Sequence, residues 1–371
     1  MDFVNVEMID EFAQCGVALE LKMEVITLSD VHFMYNPDAK QLHDRSIVID
    51  GTCPLLHDTD YIDWYIEGGV TIVTPSVGGP RPAQMTYDFI GHLLELIRTR
   101  DDLLLIERAE DVYDAKSQGK IGIVFHFQGT DPIGDNLNNV NLFHKLGVRV
   151  MQLTYNVDNL VGSGAQVDED KGLTDFGRQF IERCNDVGVI VDCSHTGVRT
   201  TLEAIKASKK PVICSHSNPK QVFKTQSDRN INDDQIKAIA NSGGVVGVAG
   251  FPGFISSSSH PSMDQFLQHV DYLVNIGGID HVALGIDYYP GQHPVADQEE
   301  AIKIFDECVA AGVWTGPDYP RPPHIYPEGI ETPQTMPRLT EALLGRGYSE
   351  EDTQKILGLN LVRVYKDVWG G

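Results

Sequence analysis

From Ser46 onward, short β-branched apolar runs alternate with longer stretches whose apolar positions recur every three or four residues. Period-free runs of four to seven residues read as strands, and the 3.6-residue period reads as amphipathic helix. The runs are Ser46–Asp50 (SIVID), Val70–Thr74 (VTIVT), Ile121–Phe127 (IGIVFHF), Val148–Leu153 (VRVMQL), Val189–Asp192 (VIVD), Val212–Ser215 (VICS), Gly244–Gly250 (GVVGVAG) and Val282–Ile286 (VALGI). Helices are predicted between them, for example over Tyr87–Arg100, Asp175–Val187 and Asp233–Asn241, each opening on polar residues. Eight βα units close a barrel more naturally than they form an open sheet, so the predicted fold class is α/β, a (β/α)8 TIM-like barrel. A proline-rich segment, Gly316–Pro323, breaks the alternation before a helical pair at Pro337–Leu344 and Ser349–Leu357, read as a C-terminal helical cap. Residues 1–45 show no strong period and are assigned to an N-terminal arm or dimer contact, leaving 46–371 as a single catalytic barrel domain.

Composition agrees with one folded body. A chain of 371 residues, 42% hydrophobic and 22% charged, with no low-complexity tract, suits a barrel of ordinary globular type. The 53 acidic residues outnumber 29 basic ones for a net charge of -24, which repels polyanions, so neither nucleic acid nor an anionic membrane is an expected partner. The acidic start MDFVNVEMIDEF lacks a basic region and a continuous apolar core, and no run approaches the ~18 apolar residues of a membrane span. Six scattered cysteines without CxxC spacing fit reduced thiols. The expected location is therefore cytoplasmic.

In such barrels the chemistry sits where strands end. One run ends in Asp192-Cys193-Ser194-His195, the next in Ser215-His216-Ser217-Asn218, and the last in Asp287-Tyr288-Tyr289. Imidazoles on adjacent strands hold a divalent metal well, and a carboxylate across the mouth can take a proton from water. His126 and Gln128, two residues apart on one strand face, either reach the same mouth as ligands or hydrogen-bond to each other and to nearby loops. Arg229, just before a helix start, either offers its fork to a substrate carboxylate or pairs with Asp228 or Asp233. Cys53 and Cys193 stand near strand ends, where a thiolate would be a nucleophile or ligand, although a free cysteine is more often a small buried hydrophobe.

The segments DCSHTG, PVICSHSNP, DRNINDDQIKAIA, HVALGIDYY and GLNLVRVYKDVW, with MQLTYNVDN and GLTDFGRQFIERCNDVGVIVD, stand in the order seen in the renal (membrane) dipeptidase family of zinc peptidases. The resemblance runs from SIVIDG at Ser46 to the C-terminus. It implies an amidohydrolase-like barrel that hydrolyses dipeptides with two zinc ions, a bridging hydroxide attacking the carbonyl and an aspartate shuttling the proton. By the same resemblance, His195 and His216 match the histidine ligands of one metal, Asp287 the strand-eight aspartate, and Arg229 the arginine that holds a substrate carboxylate.

The departures are as informative. Where the family has His-x-Asp after its first strand, this chain has Thr52 and Pro54; Gln128 replaces the bridging glutamate, and Tyr155 a histidine after strand four. A neutral amide does not hold two dications together as a carboxylate does. Some bacterial members share the Phe-Gln pair and LTYN, so the chain resembles a subgroup. The resemblance thus implies at most one divalent metal, zinc, on His195 and His216 with help from Gln128 or His126. Asp287 and Tyr155 are then the catalytic candidates, with Arg229, Tyr155 and Asn218 binding a small carboxylate-bearing substrate. Two other readings stand beside this hydrolase: a metal-free or weakly metal-assisted lyase, isomerase or decarboxylase on the same His/Asp/Tyr cluster, and a non-catalytic ligand binder. Relatives are often dimeric, which makes a homodimer an expectation.

Overall fold

Each of the eight apolar runs contains a strand in the computed structural model, which describes residues 35–314 and 318–370. In chain order the strands are β1 (Ile49–Asp50), β2 (Ile72–Val73), β3 (Ser76–Gly78), β4 (Leu103–Leu105), β5 (Ile121–Ile123), β6 (Phe125–Phe127), β7 (Val148–Gln152), β8 (Ile190–Asp192), β9 (Val212–Ile213), β10 (Val246–Val248) and β11 (Val282–Leu284). Every strand pairing is parallel. β2 and β3 follow one another as a single stave broken at Thr74-Pro75, and β5 and β6 as another broken at Val124, so the ladder runs β1, β2/β3, β5/β6, β7, β8, β9. A parallel bridge between Cys214 and Val246 joins β9 to β10, which pairs with β11. Gly51 N–H then donates to Leu284 O at 3.0 Å and Ile286 N–H to Asp50 Oδ1 at 2.8 Å, returning the last strand to the first. The result is a closed eight-stave βα barrel.

The apolar runs are continuous because both strand faces are buried. Val48, Val73, Val191 and Val212 join one buried cluster, while their neighbours Ile49, Ile72, Ile190 and Ile213 join another, as a period of two requires.

Two strands lay outside the expectation. β3 extends the second run past Pro75, where the missing N–H and the following glycines suggest a loop, yet Ser76 and Gly78 pair with β6. β4 is a three-leucine strand that pairs only with the lower half of the third stave. The helices expected at residues 87–100, 175–187 and 233–241 form as Ala83–Thr99, Asp175–Val187 and Asp233–Asn241, the last opened by an Asn232/Gln235 capping box.

The C-terminal cap is longer than the predicted pair. Pro337–Arg346 and Glu350–Gln354 are followed by a π-helical turn, Lys355–Leu359, and a further helix, Asn360–Trp369. Asn360 Nδ2 donates to Ile279 O and Val282 O at 2.8 Å each, fastening this cap to the entry of β11, away from the strand ends that carry the site. The described part of the arm includes helix Pro37–Arg45, whose buried His43 bridges Gly68 O (2.8 Å) and Thr340 Oγ1 (2.7 Å); residues 1–34 lie outside the described residues. Of the proline-rich segment, residues 315–317 also lie outside them. No helix among the described residues is long and apolar enough to cross a membrane.

Candidate active site

At the exit end of the barrel, a cavity of about 270 Å³ is lined by Gln128, Tyr155, His195 and Asp287 on the strand side and by Arg81 and Trp314 among others towards the mouth. Three residues at strand exits hold left-handed backbone: Asn156 (φ 62), His195 (φ 58) and Asp287 (φ 66). Residues other than glycine adopt this region at a cost, and such strain gathers where a side chain must be aimed. Asn156 and His195 also touch, through Asn156 N–H to His195 O and His195 Nδ1 to Asn156 Oδ1 at 2.8 Å.

The histidine pair is locked ring by ring. Asn156 Nδ2 donates to Val313 O at 2.8 Å and Tyr319 Oη at 2.9 Å, which turns its Oδ1 towards His195 and makes His195 Nδ1 the protonated nitrogen. On the other ring, Asp192 accepts from Ser194 N and Ser215 N at 2.9 Å, from His126 Nε2 at 3.0 Å and from Ser215 Oγ at 2.5 Å. These bonds to His126 and Ser215 hold the carboxyl well below the ordinary range against its burial, so it is charged and the Ser215 proton points to it. Ser215 Oγ must then accept from His216 Nδ1, 2.7 Å away. Each ring therefore directs a bare Nε2 inward, and the two nitrogens meet at 2.8 Å. Burial, reinforced by the field of Arg229, pushes both imidazoles well below their usual pKa, so neither carries a second proton at neutral pH. Two lone pairs facing at that distance repel one another unless a cation or a proton donor binds both.

Asp287 is buried, and that burial raises its carboxyl to about 8, against the lowering pull of Arg229 and a hydrogen bond from Gln128. Gln128 Nε2 also lies 3.5 Å from His216 Nε2. Tyr155 stacks on His195 with ring centroids 4.2 Å apart, and its hydroxyl accepts from Trp314 Nε1 at 3.1 Å. Arg229 is 1% exposed, stands 4.4 Å over the Phe254 ring behind the cavity wall and donates to Ser217 Oγ at 3.2 Å; its Nε and Nη2 have no hydrogen-bond partner. Neither Asp228 nor Asp233 holds it, since these bond Lys220 and Tyr272.

Other expected site residues stand elsewhere. His126 is bonded to Asp192 beneath the cavity, neither lining it nor contacting Gln128. Asn218 spends its amide on the backbone, donating to Ala249 O and accepting from Ala249 N, so it braces the β9 exit against the β10 exit. Cys53 and Cys193 are buried thiols raised well above the usual range, and neither lines the cavity. Reading the chain missed Asn156, Asp192, Ser215, Tyr319 and Arg81. The first three are neighbours of Tyr155, Cys193 and His216, and their signal was available in LTYN, DCSH and CSHS.

His195 and His216 are the residues that could hold a divalent metal. His195 and His216 present paired lone pairs, each braced from behind by a hydrogen bond on its other nitrogen, which is the arrangement metal-bound imidazoles use. Among the described residues no group of three or more His, Cys, Asp or Glu side chains is placed to hold a metal, and the Gln128 amide next to His216 turns its Nε2, not its oxygen, to that ring. At the exit of β1, Thr52 Oγ1 is bonded to Gly51 O and lies 3.2 Å from His216 Nδ1, and Pro54 offers no donor atom.

A βα barrel with imidazoles and a carboxylate at its strand exits defines the class of amidohydrolase-like enzymes. The match is to the membrane dipeptidase model (Peptidase family M19), over residues 81–313 and 313–369. The chain belongs to this family. Its structure is similar to an amidohydrolase from Pseudomonas aeruginosa, with TM-score 0.81 and 34% identity over 90% of this chain and 99% of that one. It also shares its fold with a metallo peptidase from Rhodobacter sphaeroides liganded with a phosphinate mimic of the dipeptide L-Ala-D-Ala (TM-score 0.72, 22% identity, 87% of this chain and 100% of that one). In sequence it is 29% identical over 274 residues to an uncharacterized dipeptidase of Schizosaccharomyces pombe, a stretch that covers 72% of this chain and 58% of that relative's length.

Proposed function

We propose that this chain hydrolyses the amide bond of a small, dipeptide-like substrate with a free carboxylate, at a site that holds at most one divalent ion. The observation that carries this reading is the pair of bare, neutral Nε2 atoms of His195 and His216 facing each other at 2.8 Å. Zinc or a similar ion, bound there, supplies Lewis acidity towards the substrate carbonyl.

The chain's own groups do the rest. Asp287, set in the cavity wall, takes a proton from the attacking water and returns it to the departing amine. A cation next to the carboxylate favours the ionised form needed for the first of these steps. Tyr155 walls the cavity over the face of His195 and excludes water there. Arg229, buried with two unpartnered donors, supplies the positive charge that draws the substrate carboxylate inward.

Metal-independent lyase, isomerase or decarboxylase chemistry on the same cluster has less support, because both imidazoles are locked in one tautomer and neither is poised to shuttle a proton. A cytoplasmic homodimer acting on a soluble small molecule completes the proposal. The test is elemental analysis of protein purified without added metal or chelator, with dipeptide turnover measured on the same sample. About one zinc per chain, lost in a His195→Ala/His216→Ala double variant that keeps its circular dichroism, is the expected outcome. About two per chain, retained by that variant, would overturn the single-ion reading, and none together with undiminished turnover would return the metal-independent one.

A further inference from the structure

A substrate carboxylate is gripped by a donor that faces the cavity, and Arg229 stands behind the cavity wall. Three side chains that line the cavity are able to carry positive charge: His57, Arg81 and His195. Burial keeps both histidines neutral at pH 7, His57 with its pKa lowered to about 4 and His195 well below the usual range. Among the described residues, Arg81 is therefore the one fixed cation that faces the cavity.

The local backbone aims it there. Arg81 N–H donates to Gly79 O at 2.7 Å, which closes a tight turn between the end of β3 and helix Ala83–Thr99. The side chain folds back over this turn, with its Nε 4.0 Å from where a Cβ on Gly79 would stand. Gly79 and Gln128 both line the cavity, and Gln128 N–H donates to Gly78 O at 2.8 Å, so the guanidinium lies at the β3 exit beside the stave that carries Gln128. Its donors are not spent within the fold. Arg98, Arg100 and Arg346 each hold an acidic partner, whereas no oxygen among the described residues accepts from the Arg81 side chain. A half-buried guanidinium with no anion beside it is a ready partner for a carboxylate, which the planar fork grips with two parallel bonds. One cavity of about 270 Å³ is lined by Arg81, His195 and Asp287 together, so a single small molecule meets all three.

We propose that Arg81 makes the direct contact with the single carboxylate of the substrate and selects a free acid over a neutral analogue, while Arg229 acts on that carboxylate only through its field. This rests on the hydrolase reading for the bond cleaved and for the carboxylate, and on the placement of Arg81 for the contact. Arg81 acts on binding; the reacting atoms are left to His195, His216 and Asp287.

The experiment compares Ala-Ala and Ala-Leu, each in L,L and L,D form, with their C-terminal amides, which match them in shape and lack the charge. KM and kcat are measured on the purified full chain and on Arg81→Met and Arg81→Lys, and affinity by titration calorimetry on the same three proteins carrying Asp287→Asn to stop turnover. In the unaltered chain the free acid is expected to show a lower KM and tighter binding than its amide by roughly ten- to hundredfold, as a charge-assisted hydrogen bond provides. Arg81→Met is expected to bring that ratio to about one through KM and not kcat, and Arg81→Lys to keep part of it. A preference for the acid that survives Arg81→Met, or equal losses for acid and amide, would overturn the assignment. Absence of turnover with an intact, Arg81-dependent preference in binding would sink the hydrolase reading and leave Arg81 standing; turnover of acid and amide alike in the unaltered chain would do the reverse.

Discussion

Asn156 shows how much of this site depends on single atoms. Its amide is oriented by Val313 O and Tyr319 Oη, its Oδ1 fixes the His195 tautomer, and its own backbone is left-handed at φ 62. Asn156→Gly keeps the backbone conformation and removes the amide. Zinc affinity in a chelator competition is expected to drop by about 10- to 100-fold, the usual cost of losing such a bracing partner, with the thermal midpoint little changed. Unaltered affinity would mean that His195 needs no such orientation. The candidate pair itself was legible, because His195 and His216 each close an apolar run. What a sequence does not carry is which ring nitrogen bears the proton, since that depends on Asn156, Ser215 and Asp192 arriving from other strands.

Among the elements, the seam between β1 and β11 carries a carboxyl whose burial makes it respond to pH. Asp50, the last residue of β1, is fully buried there; its Oδ1 accepts from Ile286 N–H, its Oδ2 has no partner, and desolvation lifts its pKa to about 7 from an ordinary 3.8. The folded chain thus keeps a proton that the unfolded chain releases. Stability from this group is full below about pH 4, declines as pH rises and is gone above about pH 7. Unfolding free energies at pH 5 and pH 8 are expected to differ less in Asp50→Asn than in the unaltered chain, by roughly a few kcal/mol. An unchanged difference would show that Asp50 titrates alike in both states. The strand run SIVID was readable, and so was its burial. Its pairing with a strand more than two hundred residues away, which makes Asp50 a seam residue, was not.

Two glycines are explained by the β9 exit. A Cβ on Gly247 or Gly285 would stand 1.9 Å from Ser215 O, so both strands pass directly against the backbone that presents His216. Gly285→Ala is expected to cost roughly 1–3 kcal/mol by overpacking and to lose bound metal as His216 shifts. Retention of metal in a destabilised variant would separate packing from the site.

For the whole molecule, stability comes from burial around the closed barrel and not from cross-links, since all five described cysteines are free. Added reductant is therefore expected to leave the thermal midpoint and the metal content unchanged; a fall in either would reveal a disulfide. The alternation of short apolar runs with amphipathic stretches determined the βα barrel, because burying both strand faces and one helix face leaves its mark on hydrophobic period. Sequence also determined that His195, His216 and Asp287 lie at strand exits, since order along the chain places them there. Tertiary structure alone decided the rest: that β3 continues past Pro75 and brings Arg81 to the cavity, that His126 turns to Asp192, that Asn218 is spent on backbone, and that two lone pairs face each other. Those outcomes depend on hydrogen bonds between residues far apart in sequence, and hydrophobic period is blind to them.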